Sequence, residues 1–515
     1  MTRALLVYPE FLETSFWNYR ETCRIMDARY PAAPLGMCTV AALLPPEWEV
    51  RLVDCNVETL EDAAVEWADV VLTGGMIAQQ RDCRRVIRRA RALGRRVVVG
   101  GPDATSSPHL YAEADHLVLG EGEVTLPAFL ADLANGVPKA RYEDARRADI
   151  RASPVPRFDL LKLDRYLHVG VQWCRGCPFT CEFCDVIELF GRVPRTKSNE
   201  QLLRELEALY RLGYRGHVDL VDDNFIGNKK EVKRILAALE PWLDEHGWPF
   251  EFTTEASINL ADDPELLRLM QRAGFFAVFV GLESPDDATL VASGKRQNAR
   301  RSLARDVRKI YEHGMFVNSG FILGMDGERG SVARPVIECI EATAIPVNMV
   351  GLLAALPGTR LTRRLAEEGR LGAGFDVQPD GIADQCTGGL NFQTRRPRRD
   401  ILRDYLEIVE TTYEPRAYFA RAFRVGRLLD SSRRRFRPRP RALWRELRAF
   451  ARLVLRLRPG SGAFLPFWRA LVGCLLLNPR SIRYAASMMA LYAHFGPFSR
   501  YLADRLRAEI AREGG

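Results

Sequence analysis

The stretch WCRGCPFTCEFCD, Trp173 to Asp185, contains four of the protein's eleven cysteines and determines how the rest of the chain is interpreted. Its last three cysteines follow the spacing C-x3-C-x2-C and are Cys177, Cys181 and Cys184. The glycine and the proline that flank the first of them predict a bent loop rather than a helix or a strand. Thiolates this close in one loop can converge on a single metal centre. The stretch therefore predicts a metal site.

The identity of the metal depends on whether Cys174 is a fourth ligand. A structural zinc ion requires four protein ligands, and Cys174 would complete the set C-x2-C-x3-C-x2-C. Four cysteines can also hold an iron–sulfur cluster, whereas a cluster held by three leaves one iron open to a small molecule. The spacing alone leaves these alternatives open.

An aromatic residue, Phe183, stands directly before the last cysteine, and this pattern resembles the signature of the radical S-adenosylmethionine (SAM) enzymes. In that family three cysteines hold a [4Fe-4S] cluster whose open iron chelates SAM, and an electron from the cluster cleaves SAM to a 5'-deoxyadenosyl radical. The resemblance implies that Cys177, Cys181 and Cys184 are the metal ligands. It further implies that Cys174 is not a ligand, and that a reducing electron donor such as a flavodoxin or a ferredoxin is a partner.

The overall composition is that of an ordered globular protein. The chain has 515 residues, of which 47% are hydrophobic and 27% charged, and this length predicts about three domains. Thr2 and Arg3 lead directly into the apolar run Ala4 to Tyr8, which is too short for a secretory signal and predicts a first strand. We therefore expect a cytoplasmic protein, in which clustered cysteines favour metal or redox chemistry over disulfides.

Residues 1–140 predict a Rossmann-like, doubly wound parallel α/β sheet. Five nearly continuous apolar runs separated by helical stretches predict its strands: Ala4 to Pro9, Trp48 to Asp54, Asp69 to Gly75, Arg95 to Pro102 and Asp115 to Glu123. Ligands of such sheets lie at the carboxyl ends of the strands, where glycines allow the backbone to approach closely. No G-x-G-x-x-G fingerprint follows the first strand, which argues against a dinucleotide.

This segment resembles the cobalamin-binding domain that precedes many radical SAM domains, with TGGM, VGGP and GEGE at the matching places. The resemblance implies a cobalamin site formed by Tyr8, Pro9, Thr73, Gly74, Gly75, Met76, Gly100, Gly101, Pro102, Gly120, Glu121, Gly122 and Glu123. None of the seven histidines lies in a D-x-H-x-x-G motif, so we expect a cobalt atom without a protein imidazole. The alternative is a Rossmann-like domain that has lost its ligand.

A linker rich in Arg, Pro and Asp, residues 141–164, precedes a repeating strand–helix pattern in residues 165–368. The six predicted strands are Tyr166 to Trp173, His217 to Phe225, Phe250 to Ser257, Ala277 to Ser284, Phe316 to Glu328 and Val347 to Thr359. This pattern predicts a partial (β/α)6 TIM-type barrel, whose reactive groups lie at the C-terminal strand ends.

Polar side chains stand near those strand ends in otherwise apolar runs, where a buried carboxylate requires a partner. By the family resemblance, SAM is expected to contact Phe183, Asp222, Asp223, Glu255, Glu283, Asn318 and Gly324. The stretch GFILGMDGE resembles a G-x-I-x-G-x-x-E motif of the family but has one extra residue before the acid, so Glu328 is not assigned. For each of these residues, an ordinary loop-capping role is the alternative.

Residues 369–515 predict an α-helical, Arg-rich C-terminal region. The predicted helices are Arg398 to Tyr413, Arg416 to Leu429, Ala442 to Arg458, Pro466 to Leu477 and Ser481 to Leu491. From residue 395 onward the chain has 27 Arg, no Lys and 10 acidic residues, a net charge of +17 against +8 for the whole protein. No apolar stretch reaches the roughly 20 residues that span a bilayer.

The third of these helices is predicted to be amphipathic. Apolar residues recur at helical spacing and are predicted to face the core: Leu443, Leu447, Phe450, Ala451 and Val454. The arginines predicted to face away are Arg445, Arg448, Arg452 and Arg456, and the nearby aromatic residues are Trp444, Phe464, Phe467 and Trp468. Basic helices with interfacial aromatic residues bind anionic membranes, so we expect peripheral attachment to the inner face of the membrane. The alternative is a solvated basic face.

The stretches CEFCDVIELFGRVPRTK, residues 181–197, and VDDNFIGN, residues 221–228, carry the closest resemblance, which is to the hopanoid C-2 methylase group. It implies a cobalamin-dependent radical SAM enzyme that methylates an unactivated carbon of an apolar, lipid or isoprenoid substrate. One alternative is radical oxidation, cyclisation or ring rearrangement without methyl transfer. Another is a non-catalytic, cluster-bearing sensor that binds nucleic acid, but the basic region lacks aromatic residues spaced to stack on bases, so we expect no nucleic-acid partner.

Overall fold

The computed structural model describes residues 1–436, 438, 440–457 and 459–513, so Arg458 and Gly515, which two predicted ranges included, lie outside the described residues. The strands are β1 (Arg3–Tyr8), β2 (Tyr30–Ala32), β3 (Glu49–Asp54), β4 (Val70–Gly74), β5 (Arg96–Gly100), β6 (His116–Val118), β7 (Arg141–Tyr142), β8 (Tyr166–Val171), β9 (Cys174–Arg175), β10 (Arg195–Thr196), β11 (Gly216–Leu220), β12 (Phe250–Glu255), β13 (Phe275–Glu283), β14 (Phe316–Leu323) and β15 (Asn348–Leu352).

The helices are α1 (Arg20–Ile25), α2 (Leu35–Leu43), α3 (Asp62–Trp67), α4 (Gln80–Ala92), α5 (Pro102–Ser106), α6 (Gly122–Ala134), α7 (Val186–Leu189), α8 (Asn199–Arg211), α9 (Lys229–Glu245), α10 (Pro264–Arg272), α11 (Asp287–Ala292), α12 (Leu303–Glu312), α13 (Ala333–Thr343), α14 (Arg360–Glu367), α15 (Arg398–Thr412), α16 (Pro415–Leu428), α17 (Pro440–Arg456), α18 (Phe464–Leu477) and α19 (Ile482–Arg512).

The first sheet is parallel, has the order β3-β1-β4-β5-β6-β7, and contains all five strands predicted in residues 1–140. Alternate residues of β1 enter two separate hydrophobic cores, since Leu5 and Val7 pack on one face of the sheet and Ala4 and Leu6 on the other. Both faces are therefore covered, as a doubly wound sheet requires. The edge strand β7 was not predicted.

The second sheet has the order β15-β14-β13-β12-β11-β8-β2, and its last six strands in the chain are the six predicted for the partial barrel. All of its strands are parallel, and the sheet curls into a half-barrel. The seventh strand, β2, comes from the N-terminal part of the chain and pairs with β8, Tyr30 opposite Tyr166. A three-residue strand that contains a proline shows no periodicity, so the sequence did not predict it.

The segment that contains β2 covers the open side of the half-barrel. Trp17 lies with its ring 5.5 Å from that of Phe279 on β13, and the ring of Phe16 is 4.7 Å from that of Phe495 on α19. Residues 9–34, the half-barrel and the last helix therefore enclose a common space.

The C-terminal region is helical, as predicted, but its last helix is longer than expected. It was predicted to end at Leu491, whereas α19 runs to Arg512 with Pro497 inside it. A proline removes one helical hydrogen bond, but Phe495 and Leu502 on either side of it are 0% and 3% exposed, so packing outweighs that cost. No helix in the described ranges combines the length and hydropathy needed to cross a bilayer.

The orientation predicted for α17 was wrong in part. Phe450 and Val454 pack against the core, but Leu443 and Leu447 are 48% and 52% exposed, and Ala451 is also exposed. The core receives Ala449 and Leu453 instead. Apolar residues occupy more than one stripe of this helix, so periodicity alone did not fix the face that is buried.

Two salt bridges accompany the orientation that α17 adopts. Arg452 and Arg456 were predicted to face away from the protein, yet their guanidinium groups lie 2.8 and 2.9 Å from Asp27 and Glu21 in and beside α1. Arg445 and Arg448 are exposed, as expected. Among the four aromatic residues expected at a membrane interface, Trp444 is 67% exposed, whereas the others are partly or fully buried.

Candidate active site

The cysteine loop follows β8 and is held by the two aspartates that follow β11. Asp222 accepts hydrogen bonds from the backbone N–H groups of Trp173 and Cys174 at 2.9 and 2.6 Å. Asp223 accepts one from the N–H of Gly176 at 3.2 Å. Burial raises the pKa of Asp222 to about 8. Both residues thus position the loop, and their predicted contact with SAM stays a prediction.

Cys174 differs in its surroundings from the other three cysteines of the loop. It is 1% exposed and packs in the barrel core, on the short strand β9. The exclusion of Cys174 from the cluster stays a prediction.

Lys295 lies beside the cysteine loop and was missed by the sequence analysis. Burial raises the pKa of Cys177, Cys181 and Cys184, and the positive charge of Lys295 acts on all three in the opposite direction. Its Nζ atom lies 2.7 Å from Oε1 of Glu283, which is 7% exposed. The loop therefore lies beside a cation whose side chain is 13% exposed and whose single carboxylate partner, in the salt bridges of the described residues, is Glu283.

A glycine allows Lys295 to reach this position. Gly294 follows α11 with φ of 78°, and a Cβ atom on it would lie 2.5 Å from the carbonyl oxygen of Thr180 in the cysteine loop. Only glycine tolerates both the left-handed backbone and the close approach. A glycine followed by a lysine at a helix end was the signal that could have identified Lys295.

Two of the predicted SAM residues, Glu255 and Asn318, line a cavity of the protein. Glu255, Phe279 and Asn318 stand side by side on β12, β13 and β14, and all three line the cavity. Burial raises the pKa of Glu255 to about 8, and the neighbouring carboxylates of Asp219 and Asp223 act in the same direction, against Lys295. Its side chain is exposed to the cavity although protein surrounds it.

Of the three remaining predicted SAM residues, Glu283 pairs with Lys295 and its contact with SAM stays a prediction, while Phe183 and Gly324 have evident structural roles. Phe183 is half-buried against the barrel core. The N–H of Gly324 donates to Oε1 of Glu328 at 2.7 Å, and Oε2 of Glu328 lies 2.6 Å from Arg396. A Cβ atom on Gly324 would lie 2.5 Å from a methyl carbon of Leu390. Contact of Phe183 or Gly324 with SAM stays a prediction.

Glycines form a tightly packed edge where β4, β5 and β6 end. A Cβ atom on Gly74 would lie 2.2 Å from the carbonyl oxygen of Gly100, and one on Gly100 would lie 2.8 Å from that of Val118. A flat edge without side chains is what a large planar ligand requires. Tyr8 and Met76 at this edge also line the cavity, so the predicted cobalamin site faces the barrel.

The two acids predicted for the cobalamin site bind arginines of the cysteine loop region. Glu121 lies 2.6 Å from Arg175 and 2.9 Å from Arg195, and Glu123 lies 3.0 Å from Arg175. Although burial would raise it, Arg175 holds the pKa of Glu123 down at about 2. These ion pairs tie the first sheet to the cysteine loop. Cobalamin contacts by all thirteen residues predicted for this site, these two acids included, stay predictions.

The cavity has a volume of about 1120 Å³ and is lined by all three parts of the chain. Most of its wall is apolar, including Phe11 and Trp17 from the N-terminal segment, Phe279 from the barrel, and Leu453 and Leu491 from the C-terminal helices. It touches Tyr8 and Met76 beside the glycine-rich edge, and it touches Glu255 in the half-barrel. One apolar space therefore connects the two predicted cofactor sites.

Comparison with known proteins identifies the family. Family models for a B12 binding domain, for the Radical SAM superfamily and for a domain of unknown function (DUF4070) match residues 22–130, 171–333 and 359–508. The chain is 42% identical over 522 residues to an uncharacterized methyltransferase, sll1242, of Synechocystis, with 99% of this chain and 95% of the relative covered. It is 37% identical to a hopanoid C-2 methylase of Rhodopseudomonas palustris, with 72% of this chain and 71% of the relative covered.

The chain belongs to the cobalamin-binding radical SAM family. This radical SAM protein is an enzyme, and its cofactors are a [4Fe-4S] cluster, SAM and cobalamin, as predicted. Neither a zinc loop, nor a Rossmann-like domain without its ligand, nor a non-catalytic sensor fits this membership.

Solved structures resemble the radical SAM protein in fold. The cobalamin-dependent enzyme OxsB, with aqua-cobalamin bound, matches with a TM-score of 0.61 and 16% identity, covering 100% of this chain and 84% of the other. The methyltransferase TsrM from Kitasatospora setae, with cobalamin and a [4Fe-4S] cluster bound, matches with a TM-score of 0.57 and 18% identity, covering 73% and 77%. The predicted fold class is thereby confirmed.

Proposed function

We propose that this radical SAM enzyme transfers a methyl group to an unactivated carbon of an apolar substrate of the lipid or isoprenoid kind. The observation that carries the proposal is the cavity of about 1120 Å³, whose mostly apolar wall runs from Tyr8 and Met76, beside the glycine-rich edge of the first sheet, into the half-barrel. An apolar ligand would gain free energy from each Å² of surface removed from water there. The similarity to a hopanoid C-2 methylase and to a second methyltransferase supports methyl transfer.

Different residues of the chain have different proposed roles around this cavity. We assign the cluster to Cys177, Cys181 and Cys184, with Cys174 as a core residue. We assign Lys295 to hold the negative charge of the cysteine loop and of the SAM carboxylate, because it is the cation that acts on all three thiols. When bound, the cluster supplies the electron that cleaves SAM, and cobalamin supplies the methyl group.

Exclusion of water from the reacting centre is the task of the cavity wall. The rings of Trp17 and Phe279 lie 5.5 Å apart on the open side of the half-barrel, beside the level of Glu255. Because the two rings are in contact, they close this part of the wall, and an apolar substrate in the cavity beside them would leave no room for solvent next to a carbon radical. Protection from water and from side reactions is what such chemistry requires.

The proposal is tested by anaerobic incubation of the reconstituted enzyme with methyl-deuterated SAM, methylcobalamin, a reductant and an extract of neutral membrane lipids. We expect mass spectrometry to detect 5'-deoxyadenosine, S-adenosylhomocysteine and a deuterium-labelled lipid. Deoxyadenosine without S-adenosylhomocysteine or labelled product would instead favour radical oxidation, cyclisation or rearrangement.

We further propose that the C-terminal region binds an anionic membrane surface, from which the substrate enters. On α17 the side chains of Leu443, Trp444 and Leu447 are 48%, 67% and 52% exposed, while Phe450 and Leu453 of the same helix line the cavity. The helix thus has an apolar outer side and an inner side that forms the cavity wall. The net charge of +17 from residue 395 onward supports an anionic surface, since each basic group near it contributes about 1 kcal/mol.

Flotation with liposomes tests this attachment. We expect the protein to float with vesicles rich in anionic lipid at low salt, and the variant Leu443→Ser/Trp444→Ser/Leu447→Ser to remain at the bottom. The matched control is Val137→Ser/Val193→Ser, which changes two side chains that are 65% and 75% exposed outside the C-terminal region. Equal flotation of the triple variant, or equal loss in the control, would contradict attachment through α17.

A further inference from the structure

The half-barrel carries a ladder of polar side chains on the wall of the apolar cavity. At its lowest level, His217 on β11 stands beside His168 on β8 and opposite Glu251 on β12. Two residues farther along the strands, Asp219 stands opposite Thr253. All five line the cavity. Side chains two residues apart on a strand point to the same face, so the ladder follows from the register of three strands.

Hydrogen bonds connect Asp219, Thr253 and His217 of this ladder in a chain. The hydroxyl of Thr253 donates to Oδ1 of Asp219 at 2.5 Å, and its oxygen lies 2.6 Å from Nε2 of His217. A threonine hydroxyl has one hydrogen, so when it donates to the carboxylate it must accept from the histidine. The proton of His217 is therefore on Nε2, and its Nδ1 atom is an acceptor.

His168 completes the lower level. Its ring lies 4.7 Å from that of His217 with an angle of 33° between them. Among the described residues, no group forms a hydrogen bond with the buried Nδ1 atom of His168. Burial lowers the pKa of both imidazoles, so both rings are neutral at pH 7. The Nδ1 atom of His168 is closed off from the cavity, so the imidazole acceptor that a ligand can reach at this level is Nδ1 of His217, whose residue lines the cavity.

The charge at this level is already balanced. Glu251 accepts a hydrogen bond from Nε of Arg434 at 3.1 Å, and this guanidinium group lies 5.4 Å from the ring of Phe276. Nearby, Glu446 and Arg483 form a second salt bridge of 2.7 Å between α17 and α19, and both line the cavity. Both imidazoles are neutral, so a neutral group that donates to Nδ1 of His217 fits this level better than a charged group.

We propose that His168, His217 and Thr253 form a binding subsite for a hydroxyl group on an otherwise apolar substrate. The subsite rests on the proposed function, because it takes an apolar substrate in this cavity as given. From the level of His217 to that of Glu255, where the predicted SAM residues converge, there are four residue steps on neighbouring strands, roughly 13 Å. The hydroxyl and the carbon that reacts therefore lie at opposite ends of the substrate.

Equilibrium dialysis tests the subsite without turnover. The probes are a pentacyclic triterpene alcohol, its parent hydrocarbon and the corresponding amine, each radiolabelled, with the cobalamin-loaded enzyme. We expect the alcohol to bind about tenfold more tightly than the hydrocarbon, the factor that one or two hydrogen bonds to buried groups provide, and more tightly than the amine. Failure of the alcohol to bind, equal binding of alcohol and hydrocarbon, or preference for the amine would overturn the proposal.

Two variants assign the preference to these residues. His217→Phe and Thr253→Val should each bind the alcohol no more tightly than the hydrocarbon, while affinity for the hydrocarbon is kept. The matched control is His313→Phe at the end of α12, whose Nδ1 atom lies 2.8 Å from the carbonyl oxygen of Lys309, and which should behave as the unaltered enzyme. Retention of the preference in both variants would refute the assignment.

A separate measurement distinguishes this proposal from the proposed function. If the enzyme transfers labelled methyl groups to lipid but shows no preference for the alcohol, the subsite is wrong and methyl transfer stands. If it prefers the alcohol but transfers no methyl group, the subsite stands and the reaction assigned to the cavity is wrong.

Discussion

The substitution Lys295→Met tests whether the buried cation serves the cysteine loop and SAM or only the stability of the barrel. Methionine keeps the length of the side chain but removes the charge that lies 2.7 Å from Glu283. Glu283 is 7% exposed and would remain as a buried carboxylate without a partner. Breaking a buried pair in this way costs about 3–5 kcal/mol.

The double variant Lys295→Met/Glu283→Gln separates the two roles. Glutamine removes the uncompensated charge, so most of the lost stability should return, by about 2 kcal/mol or more relative to the single variant. Affinity for SAM should not return, because the cation itself is absent. Loss of one charge-assisted hydrogen bond of about 1.5–3 kcal/mol predicts SAM binding that is weaker by about tenfold or more in both variants.

Calorimetric unfolding measures the first quantity and equilibrium dialysis of SAM with the cluster-loaded protein measures the second. Iron analysis of each variant shows whether the cluster is retained, so weak SAM binding is interpreted only for protein that holds its iron. Normal SAM affinity in the stable double variant would refute the role of Lys295 at the site and leave it a purely structural cation.

Three further predictions concern individual cofactor contacts. Reconstituted Cys174→Ala should keep its iron and cleave SAM, whereas Cys177→Ala should lose its iron and its SAM cleavage, as measured by iron analysis and deoxyadenosine formation. The reverse result would contradict the ligand assignment. Gly74→Ala should abolish cobalamin absorbance after gel filtration, because a Cβ atom would lie 2.2 Å from the carbonyl oxygen of Gly100 at the predicted site. The unaltered enzyme in its cob(II)alamin form should show no histidine nitrogen coupling by electron paramagnetic resonance. Burial raises the pKa of Glu255 to about 8, and SAM is a cation that favours the ionised acid, so SAM affinity should rise from about pH 7 to about pH 9. In Glu255→Gln the affinity should become independent of pH. Unchanged pH dependence in that variant would exclude Glu255 as the titrating group.

The sequence alone predicted the fold class, the positions of the strands in the chain and, through the resemblance of short motifs to a known family, the cofactors, because each depends on local patterns. Nearly continuous apolar runs identified the five strands in residues 1–140 and the six barrel strands, since a strand buried on both faces must be apolar throughout. The cysteine loop was evident because its ligands lie close together in the chain, so no tertiary contact is needed to bring them together. Glu255 and Asn318 were predicted from their positions at and near strand ends, and both face the cavity.

Only the tertiary structure determined which distant segments meet. The pairing of β2 with β8 and the approach of Gly294 to the cysteine loop depend on contacts between residues more than a hundred positions apart, for which the local sequence has no periodic signal. The face that α17 buries was decided by tertiary packing, which places Ala449 and Leu453 in the core, since the helix had apolar residues on more than one side. The cavity and its polar ladder exist only because three parts of the chain enclose one space, and the register of β8, β11 and β12 brings His168, His217 and Thr253 to the same wall.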